Sequence, residues 1–240
     1  MNPMTDRNDI DNSATDEQNE HQSKQALVRD NILKMLCLQD NINSQINPDW
    51  RNDSYPWYRA AWIECAELME HHGWKWWKKQ TPDLDQINLE LVDIWHFGLS
   101  DCLQHSQDKN LTADALYRSV YLVSLVPTEL SLLDATEAFA RDCLQLGRFP
   151  TLSFAQLLSS AGMDFQTLVK LYMGKNILNS FRQDHGYKTG EYIKIWNGKE
   201  DNEHLSEILR ELDENAAQEV DIQTHIYQAL KANYPVAEAV

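Results

Sequence analysis

Two pairs of acidic residues, each inside an apolar helical segment, constrain this chain more than any other feature. Glu64 and Glu67 form the first pair and Glu90 and Asp93 the second, and the members of each pair lie three positions apart. On a helix this spacing places both carboxylates on one face. Four carboxylates at the edge of a core are costly without a partner. Since Mg²⁺ prefers carboxylate oxygens, the pairs predict a magnesium site that handles a polyphosphate.

A solvated helix face is the alternative for each pair, because most acidic residues lie on such faces. The segment around the second pair argues against this alternative. Residues 86–104 are apolar almost all round, and Glu90 and Asp93 are their only acids before Asp101. The 22 residues between the two pairs let the second helix return antiparallel. The pairs are therefore expected to face each other across a gap that holds metal ions.

Charge and hydropathy exclude several classes of partner. The formal net charge is -16, with 37 acidic against 21 basic residues, which disfavours general binding to nucleic acid or anionic membranes. No apolar run approaches the ~20 residues that a membrane span needs, and the N-terminus has no signal-peptide pattern. We therefore expect a cytoplasmic protein whose cysteines are reduced core thiols. These are Cys37, Cys65, Cys102 and Cys143.

The chain divides into a polar tail and one helical domain. Residues 1–24 carry almost no large apolar side chains and are expected to be disordered. Residues 25–240 are expected to form a single all-α catalytic domain, because helical periodicity continues throughout and the few glycines and prolines lie at breaks. Helices are predicted over 25–46, 57–72, 86–104, 111–125, 129–146, 154–161, 165–183, 204–214 and 219–233. Predicted N-caps are Thr128, Ser153 and Asp164, and predicted C-caps are Gly147, Gly162 and Gly186.

A cationic stripe later in the chain is the natural complement of an acidic metal site. Lys175, Asn179 and Arg182 fall at i, i+4 and i+7, so they share one helix face. Two cations and an amide in a row suit phosphate oxygens. Tyr187 and Lys194 follow on a glycine-punctuated loop that could close over the same ligand. Taken alone, the stripe could equally be an exposed basic face.

Two further patterns are less specific. Gln39 and Asn43 end the first helix, and their amides suit the edge of a pyrimidine, although a polar helix end with a capping Asn is an equal alternative. Residues 74–79 interleave tryptophan and lysine. In so acidic a chain, this run favours a packed, partly mobile loop or lid over strand binding. His96 has no companion at metal-binding spacing and is treated as structural.

Together these motifs resemble the dimeric dUTPase family of the all-α NTP pyrophosphohydrolases. The resemblance is close over residues 64–79 (E-C-A-E-L-M-E-H-H-G-W-K-W-W-K-K), 90–97 (E-L-V-D-I-W-H-F) and 175–196, and L-Q-D-N-I-N at 38–43 also fits. It extends from about Asn31 to Asp201. The acidic pairs are shared by the whole superfamily, whereas the tryptophan-lysine run and K-N-I-L-N-S-F-R are more specific to this branch.

The resemblance implies a helical bundle of that type, with additional C-terminal helices, acting as a homodimer. Its activity would be Mg²⁺-dependent hydrolysis of dUTP, and also of dUDP, to dUMP. The four paired carboxylates would bind Mg²⁺, with Glu64 as the base that accepts a proton from water. Gln39 and Asn43 would lie by the uracil with Trp62 nearby, and Phe97 would pack under the deoxyribose. The phosphate ligands would be Lys175, Asn179, Arg182, Tyr187 and Lys194.

Two other functions remain open at this stage. One is a related pyrophosphohydrolase that acts on another nucleotide such as dCTP, since the metal core is shared across the superfamily. The uracil-side amides Gln39 and Asn43 distinguish it from a dUTPase. The other is a catalytically silent helical binding protein, against which the intact acidic pairs and phosphate ligands argue.

Overall fold

The computed structural model describes residues 8–214 and 222–235, with side chains from 22 to 212 and from 222 to 235. Nearly all of its regular structure is helical, which confirms the predicted all-α class. In this part of the chain no helix is both long and apolar enough to cross a bilayer. The helices are α1 (Asn8–Ile46), α2 (Trp57–His72), α3 (Leu84–His105), α4 (Lys109–Leu116), α5 (Leu122–Ser124), α6 (Leu132–Leu146), α7 (Thr151–Ala161), α8 (Phe165–Asp184), α9 (Asp201–Glu214) and α10 (Ile222–Asn233). A π-helical turn (Tyr117–Tyr121) joins α4 to α5, a 3₁₀ turn (Tyr187–Thr189) follows α8, and strands β1 (Ile195–Trp196) and β2 (Lys199–Glu200) precede α9.

Several helix ends follow the predicted capping chemistry. Asp164 caps α8, where its carboxylate accepts a hydrogen bond from the backbone N–H of Thr167 at 2.7 Å. Gly147 and Gly162 end α6 and α7 in the left-handed conformation, with φ of +61° and +67°. Only glycine adopts this conformation without steric cost, so these two caps were readable from the sequence.

Other predicted boundaries are wrong. α6 is capped by Ser131 rather than Thr128, because the Ser131 hydroxyl accepts from the backbone N–H three residues on at 3.2 Å. Ser153 lies inside α7, since the chain enters that helix directly after Pro150. Gly186 opens the 3₁₀ turn instead of capping α8. The single helix predicted over 111–125 is divided by the π-helical turn.

The first helix begins earlier than predicted. Residues 8–24, expected to be disordered, are helical in α1, while residues 1–7 of that expected tail lie outside the described residues. No proline or glycine, the two strongest helix breakers, occurs from residue 4 to residue 47. The described side chains before Val28 are exposed, and the buried core begins at that residue.

α3 is the central element of the fold. It is buried on almost every side, and the main core forms around it from α1, α2, α4, α6, α7 and part of α8. Trp95 of α3 stacks parallel on Phe154 of α7 with ring centroids 5.2 Å apart. A second buried cluster unites the C-terminal half of α8 with α9, α10 and Trp196 of β1. Leu89 of α3 belongs to this second cluster, so the two cores meet along α3 and α8.

A two-residue hairpin turns the chain back toward α8. Asn197 and Gly198 connect β1 to β2 with φ of +51° and +80°, the positive values that a type I′ turn requires. No series of hairpins was predicted from the sequence, and this two-stranded hairpin is the one sheet among the described residues. The hairpin places the first residues of α9 beside α8.

Close packing of Gly98 in α3 gives a first prediction. A Cβ at this position would lie 2.4 Å from Cζ of Phe149, which is far inside van der Waals contact. Helix propensity alone would make Gly98→Ala stabilising by about 1 kcal/mol. We expect the clash to outweigh this gain and to lower the free energy of unfolding by about 1–3 kcal/mol in urea titrations. The double variant Gly98→Ala/Phe149→Leu should lose less than the sum of the single variants. An unchanged urea midpoint in Gly98→Ala would contradict the packing.

Candidate active site

α2 and α3 pack extensively and run antiparallel, as the spacing of the acidic pairs predicted. Trp57, at the start of α2, stacks on Phe97 late in α3, with ring centroids 6.3 Å apart. His71, at the end of α2, places its Nε2 3.5 Å from Oε1 of Glu90 early in α3. The carboxylates in the middle of both helices are therefore held opposite one another.

Three of the four predicted acids converge. Glu64, Glu90 and Asp93 each present a carboxylate oxygen, and these oxygens lie within 4.8 Å of one another. Glu90 is buried, whereas Glu64 and Asp93 are half-buried and reachable from solvent. Oxygen atoms so arranged match the donor set of a hard divalent cation.

Glu67 stands apart from this group. It is exposed and is not among the described acids that share the cluster. Its charge still acts on the cluster, since repulsion from Glu67 contributes to the raised pKa values of Glu64 and Glu90. Glu67 therefore lies beside the site, but its carboxylate is not one of the three that converge.

The carboxylate cluster carries negative charge that the protein compensates only in part. Burial, followed by repulsion from Asp93, raises the pKa of Glu90 to about 9. Burial and the charges of Asp93 and Glu67 raise the pKa of Glu64 to about 7. Such shifts mean that ionised carboxylates are held together at a free-energy cost. A divalent cation would remove that cost, so the residues present fit the magnesium that the sequence predicted.

Lys175 of α8 adjoins the carboxylates. Its side chain is 1% exposed, and its Nζ lies 2.7 Å from Oδ2 of Asp93 and donates to Oδ1 of Asn202 at 2.7 Å. An ammonium group has three N–H donors, so one remains after these two contacts. A lysine this deeply buried does more than offer a charge to a ligand, because it also holds Asp93 in place.

Arg182 is held by an acid from the next helix. Its Nε and Nη2 bind both carboxylate oxygens of Asp201, at 2.7 and 2.9 Å, and its Nη1 donates to Asn179 at 3.1 Å. Asp201 is 0% exposed, and although burial opposes its ionisation, the Arg182 guanidinium holds the pKa of Asp201 below its ordinary value. The Tyr192 hydroxyl donates to the same carboxylate at 2.8 Å. The second N–H of Nη1 has no described protein partner, so it is available to an anion.

The two loop residues predicted to bind phosphate lie in the same region. The Arg182 guanidinium is 5.8 Å from the ring centroid of Tyr187, whose side chain is half exposed. The Lys194 ammonium pairs with Glu200 at 2.9 Å, and the Lys194 carbonyl accepts from the backbone N–H of Asp201 at 3.0 Å. The loop therefore folds over the end of α8, with the Lys194 ammonium already paired to a protein acid.

The predicted base-binding amides are buried side by side. Gln39 Nε2 donates to Asn43 Oδ1 at 3.1 Å, and both amides donate to the hydroxyl of Ser100 on α3. The Gln39 carbonyl also contacts the His96 ring and the Tyr172 hydroxyl. Gln39 thus uses all its donors and acceptors within the protein, so a direct contact to uracil would have to come from Asn43.

Asn43 also lines an apolar groove of about 560 Å³, a volume typical of small-molecule sites. The groove lies between the end of α1 and the start of α2, and Trp57 forms part of its wall. Trp57 stacks on Phe97, one turn after Asp93, so this wall of the groove contacts the helix that carries two of the cluster acids. Trp62 is half-buried against the main core and is not among the described residues that line the groove.

Four residues of this region were not predicted from the sequence. Ser100 lies at i+4 from His96 and i+7 from Asp93, so helical spacing alone would have placed it on the site face of α3. Tyr172, Asp201 and Asn202 had no such signal, because their contacts depend on how α8 and α9 pack.

Comparison with known proteins agrees with this geometry. A family model described as dUTPase matches residues 31–187, which is more than half of the 240-residue chain. The matched range holds the carboxylate cluster, the amides and the cationic face of α8. A comparison with curated proteins found no match. The chain therefore belongs to the dimeric, all-α dUTPase family, and it is an enzyme that hydrolyses dUTP.

Proposed function

We propose that the enzyme uses Mg²⁺ to hydrolyse dUTP to dUMP and pyrophosphate, and dUDP to dUMP and phosphate. The observation that carries this proposal is the cluster of Glu64, Glu90 and Asp93, whose oxygens lie within 4.8 Å of one another. Beside it lies the Lys175 ammonium with one N–H unused by the described protein groups. A metal site next to buried cations suits a polyphosphate better than a neutral substrate.

The roles of the acids follow from their positions. Magnesium held by Glu64, Glu90 and Asp93 would neutralise phosphate charge and make a bound water more acidic. Glu64 is proposed to accept the proton of the attacking water, because its carboxylate belongs to the cluster yet remains partly open to solvent. The water oxygen bonds to the α-phosphorus while the bond to the bridging oxygen breaks. Glu67 is proposed as a further metal ligand from its exposed position beside the cluster.

The cationic face is proposed to receive the leaving pyrophosphate. Lys175 and Arg182 can each offer one N–H while keeping their bonds to Asp93 and Asp201. Hydrogen bonds from these charged groups stabilise negative charge as it develops on the leaving oxygens. Asn179, Tyr187 and Lys194 are proposed to complete the phosphate site, and the last two would do so from the loop after α8.

The nucleoside is proposed to occupy the groove beside the cluster, with its base at Asn43 and its sugar at Phe97. Trp62 is proposed to stand near the base from the neighbouring face of α2. An apolar ring at the sugar crowds a 2′-hydroxyl and gives it no hydrogen-bond partner. Burying an unsatisfied hydroxyl costs about 1–3 kcal/mol, so the wild-type enzyme should prefer dUTP over UTP by roughly 5- to 150-fold in kcat/KM.

Steady-state kinetics on dUTP, dUDP, UTP and dCTP, with Mg²⁺ and with EDTA, test this proposal. We expect turnover of dUTP and dUDP that EDTA abolishes and Mg²⁺ restores. Phe97→Ala should lower dUTP turnover and narrow the dUTP/UTP ratio, whereas Phe97→Leu, which keeps an apolar branch, should retain most of the preference. Preference for dCTP would instead support the related pyrophosphohydrolase, and equal turnover of UTP and dUTP would defeat the sugar contact.

Assembly and location are proposed from the family and the cysteines. We infer a homodimer, which sedimentation of the purified chain would test directly. The four cysteines are free, and two of them, Cys65 and Cys143, are buried thiols. Such thiols persist in a reducing compartment, so the cytoplasm is the proposed location.

A further inference from the structure

Hydrogen positions around Ser100 are fixed by its own helix. The Ser100 hydroxyl donates its single hydrogen to the carbonyl of His96 at 3.0 Å. Its oxygen can then only accept, and it receives Gln39 Nε2 at 3.0 Å and Asn43 Nδ2 at 2.9 Å. Ser100 is 0% exposed, so no water competes for these bonds. Both amide nitrogens must therefore face Ser100.

The contacts at the oxygen end of the Gln39 amide favour the same orientation as the contacts at its nitrogen end. Its Oε1 lies 2.7 Å from Nδ1 of His96 and 3.0 Å from the Tyr172 hydroxyl, whose single hydrogen is shared with the Met35 carbonyl, also at 3.0 Å. Burial lowers the pKa of His96 to about 3, so the ring is neutral and carries its hydrogen on Nδ1, where an acceptor lies. The remaining N–H of Gln39 then points to Asn43 Oδ1 at 3.1 Å. The His96 N–H at the oxygen end, together with the Ser100 and Asn43 oxygens at the nitrogen end, leaves Gln39 one orientation.

This arrangement also fixes the amide of Asn43. A flipped Asn43 would turn its oxygen to Ser100, which has no hydrogen to give, and its nitrogen to the N–H of Gln39. Two buried hydrogen bonds would be replaced by two unfavourable contacts. In the unflipped orientation Asn43, which lines the groove, keeps one N–H and one acceptor position that the described protein groups do not use.

We infer that Ser100 is a specificity-determining positioning residue that fixes the Asn43 amide in the orientation that pairs with uracil and not with cytosine. Uracil presents an acceptor, O4, beside a donor, N3–H. Cytosine presents the reverse, the N4 amino donor beside the N3 acceptor. An amide that rotates freely serves either base by flipping, whereas a fixed amide serves only one. The inference rests on the proposed function, in which the base enters the groove at Asn43.

Ser100→Ala tests the inference, because it removes the shared acceptor and adds no volume. We expect the kcat/KM ratio of dUTP to dCTP to narrow by about tenfold or more, as two opposed amide orientations become similar in free energy. The change should lie mostly in KM, with KM falling for dCTP and rising slightly for dUTP, because Ser100 touches no predicted phosphate ligand. Ser124→Ala is the matched control, since that hydroxyl bonds only the Tyr121 carbonyl in a distant helix. The kcat/KM ratio of dUTP to dCTP in Ser124→Ala should equal that of the wild type.

The outcomes separate this inference from the proposed function. A wild-type enzyme that hydrolyses dCTP as well as dUTP would defeat the proposed base recognition. A wild type that selects dUTP, together with a folded Ser100→Ala of unchanged ratio, would overturn only the role of Ser100. If Ser100→Ala does not fold, Ser100→Cys makes the same test, because a thiol of similar size is only a weak acceptor for the two amides. A narrowed ratio in that variant supports the inference, and an unchanged ratio overturns it.

Discussion

Glu90→Gln should lower dUTP turnover by roughly 10³-fold or more while the helical circular dichroism signal survives. The carboxylate of Glu90 is one of three that converge on α2 and α3, and an amide binds a divalent cation far less well. Asp93→Asn should behave in the same way. Glu137→Gln, on an exposed face of α6, is the matched control and should retain wild-type kinetics. Near-wild-type activity of Glu90→Gln would remove this residue from the metal site.

The same variant should stabilise the metal-free protein. Because the pKa of Glu90 rises from its ordinary value to about 9 on folding, its stabilising contribution is complete below its ordinary pKa and is lost as pH rises towards 9. In EDTA, the wild type should therefore melt at a lower temperature at about pH 8 than at about pH 6. Glu90→Gln should flatten this slope and raise the melting temperature at the higher pH. A steeper slope in the variant would contradict the charge repulsion.

Arg182→Met is expected to lower the free energy of unfolding by about 3–5 kcal/mol, because it leaves the buried carboxylate of Asp201 without its cation. This loss is a large share of the roughly 5–15 kcal/mol that stabilises a typical protein. Turnover of dUTP should also fall, since the Nη1 donor available to phosphate disappears. Urea unfolding and kcat/KM measure the two effects separately.

Two companion variants sharpen that test. Arg182→Met/Asp201→Leu removes both charges and should recover most of the stability without recovering activity. Arg141→Met removes an exposed arginine that pairs with its neighbour Asp142, and its unfolding free energy should stay within about 0.5 kcal/mol of the wild type. Recovery of both stability and activity in the double variant would show that Arg182 has no part in catalysis.

Much of the fold was predictable because helix signals are local. Apolar periodicity located the helices, and Gly147, Gly162 and Asp164 marked three of their ends through backbone and capping chemistry that involves only neighbouring residues. The misplaced ends had several candidate caps in a short window, as with Thr128 and Ser131. In such windows tertiary packing decides which residue caps the helix. The early start of α1 was missed because a polar composition was taken as disorder although no helix breaker was present.

The site was predictable where its residues share a helix face and not where they meet across helices. Helical spacing in the sequence identified the acidic pairs and the stripe that contains Lys175 and Arg182. It gave no indication that Asp201 and Asn202 hold those cations, because that contact needs the Asn-Gly turn to redirect the chain. Nor did it show that Gln39 is fully engaged within the protein. That fact depends on Ser100 and Tyr172, which are distant in sequence.

The boundary between the two buried clusters has a practical consequence. The carboxylates belong to helices of the main core, whereas the residues that hold Lys175 and Arg182 belong to α9, which packs in the smaller C-terminal cluster. Local unfolding of α9 would remove the contacts that hold Lys175 and Arg182 in the phosphate site, while most of the helical content stays intact. Among the described residues this C-terminal cluster is the smaller one, so we expect α9 and α10 to open at a lower temperature than α3. Engineering for durability should begin at α9 and α10 rather than around α3.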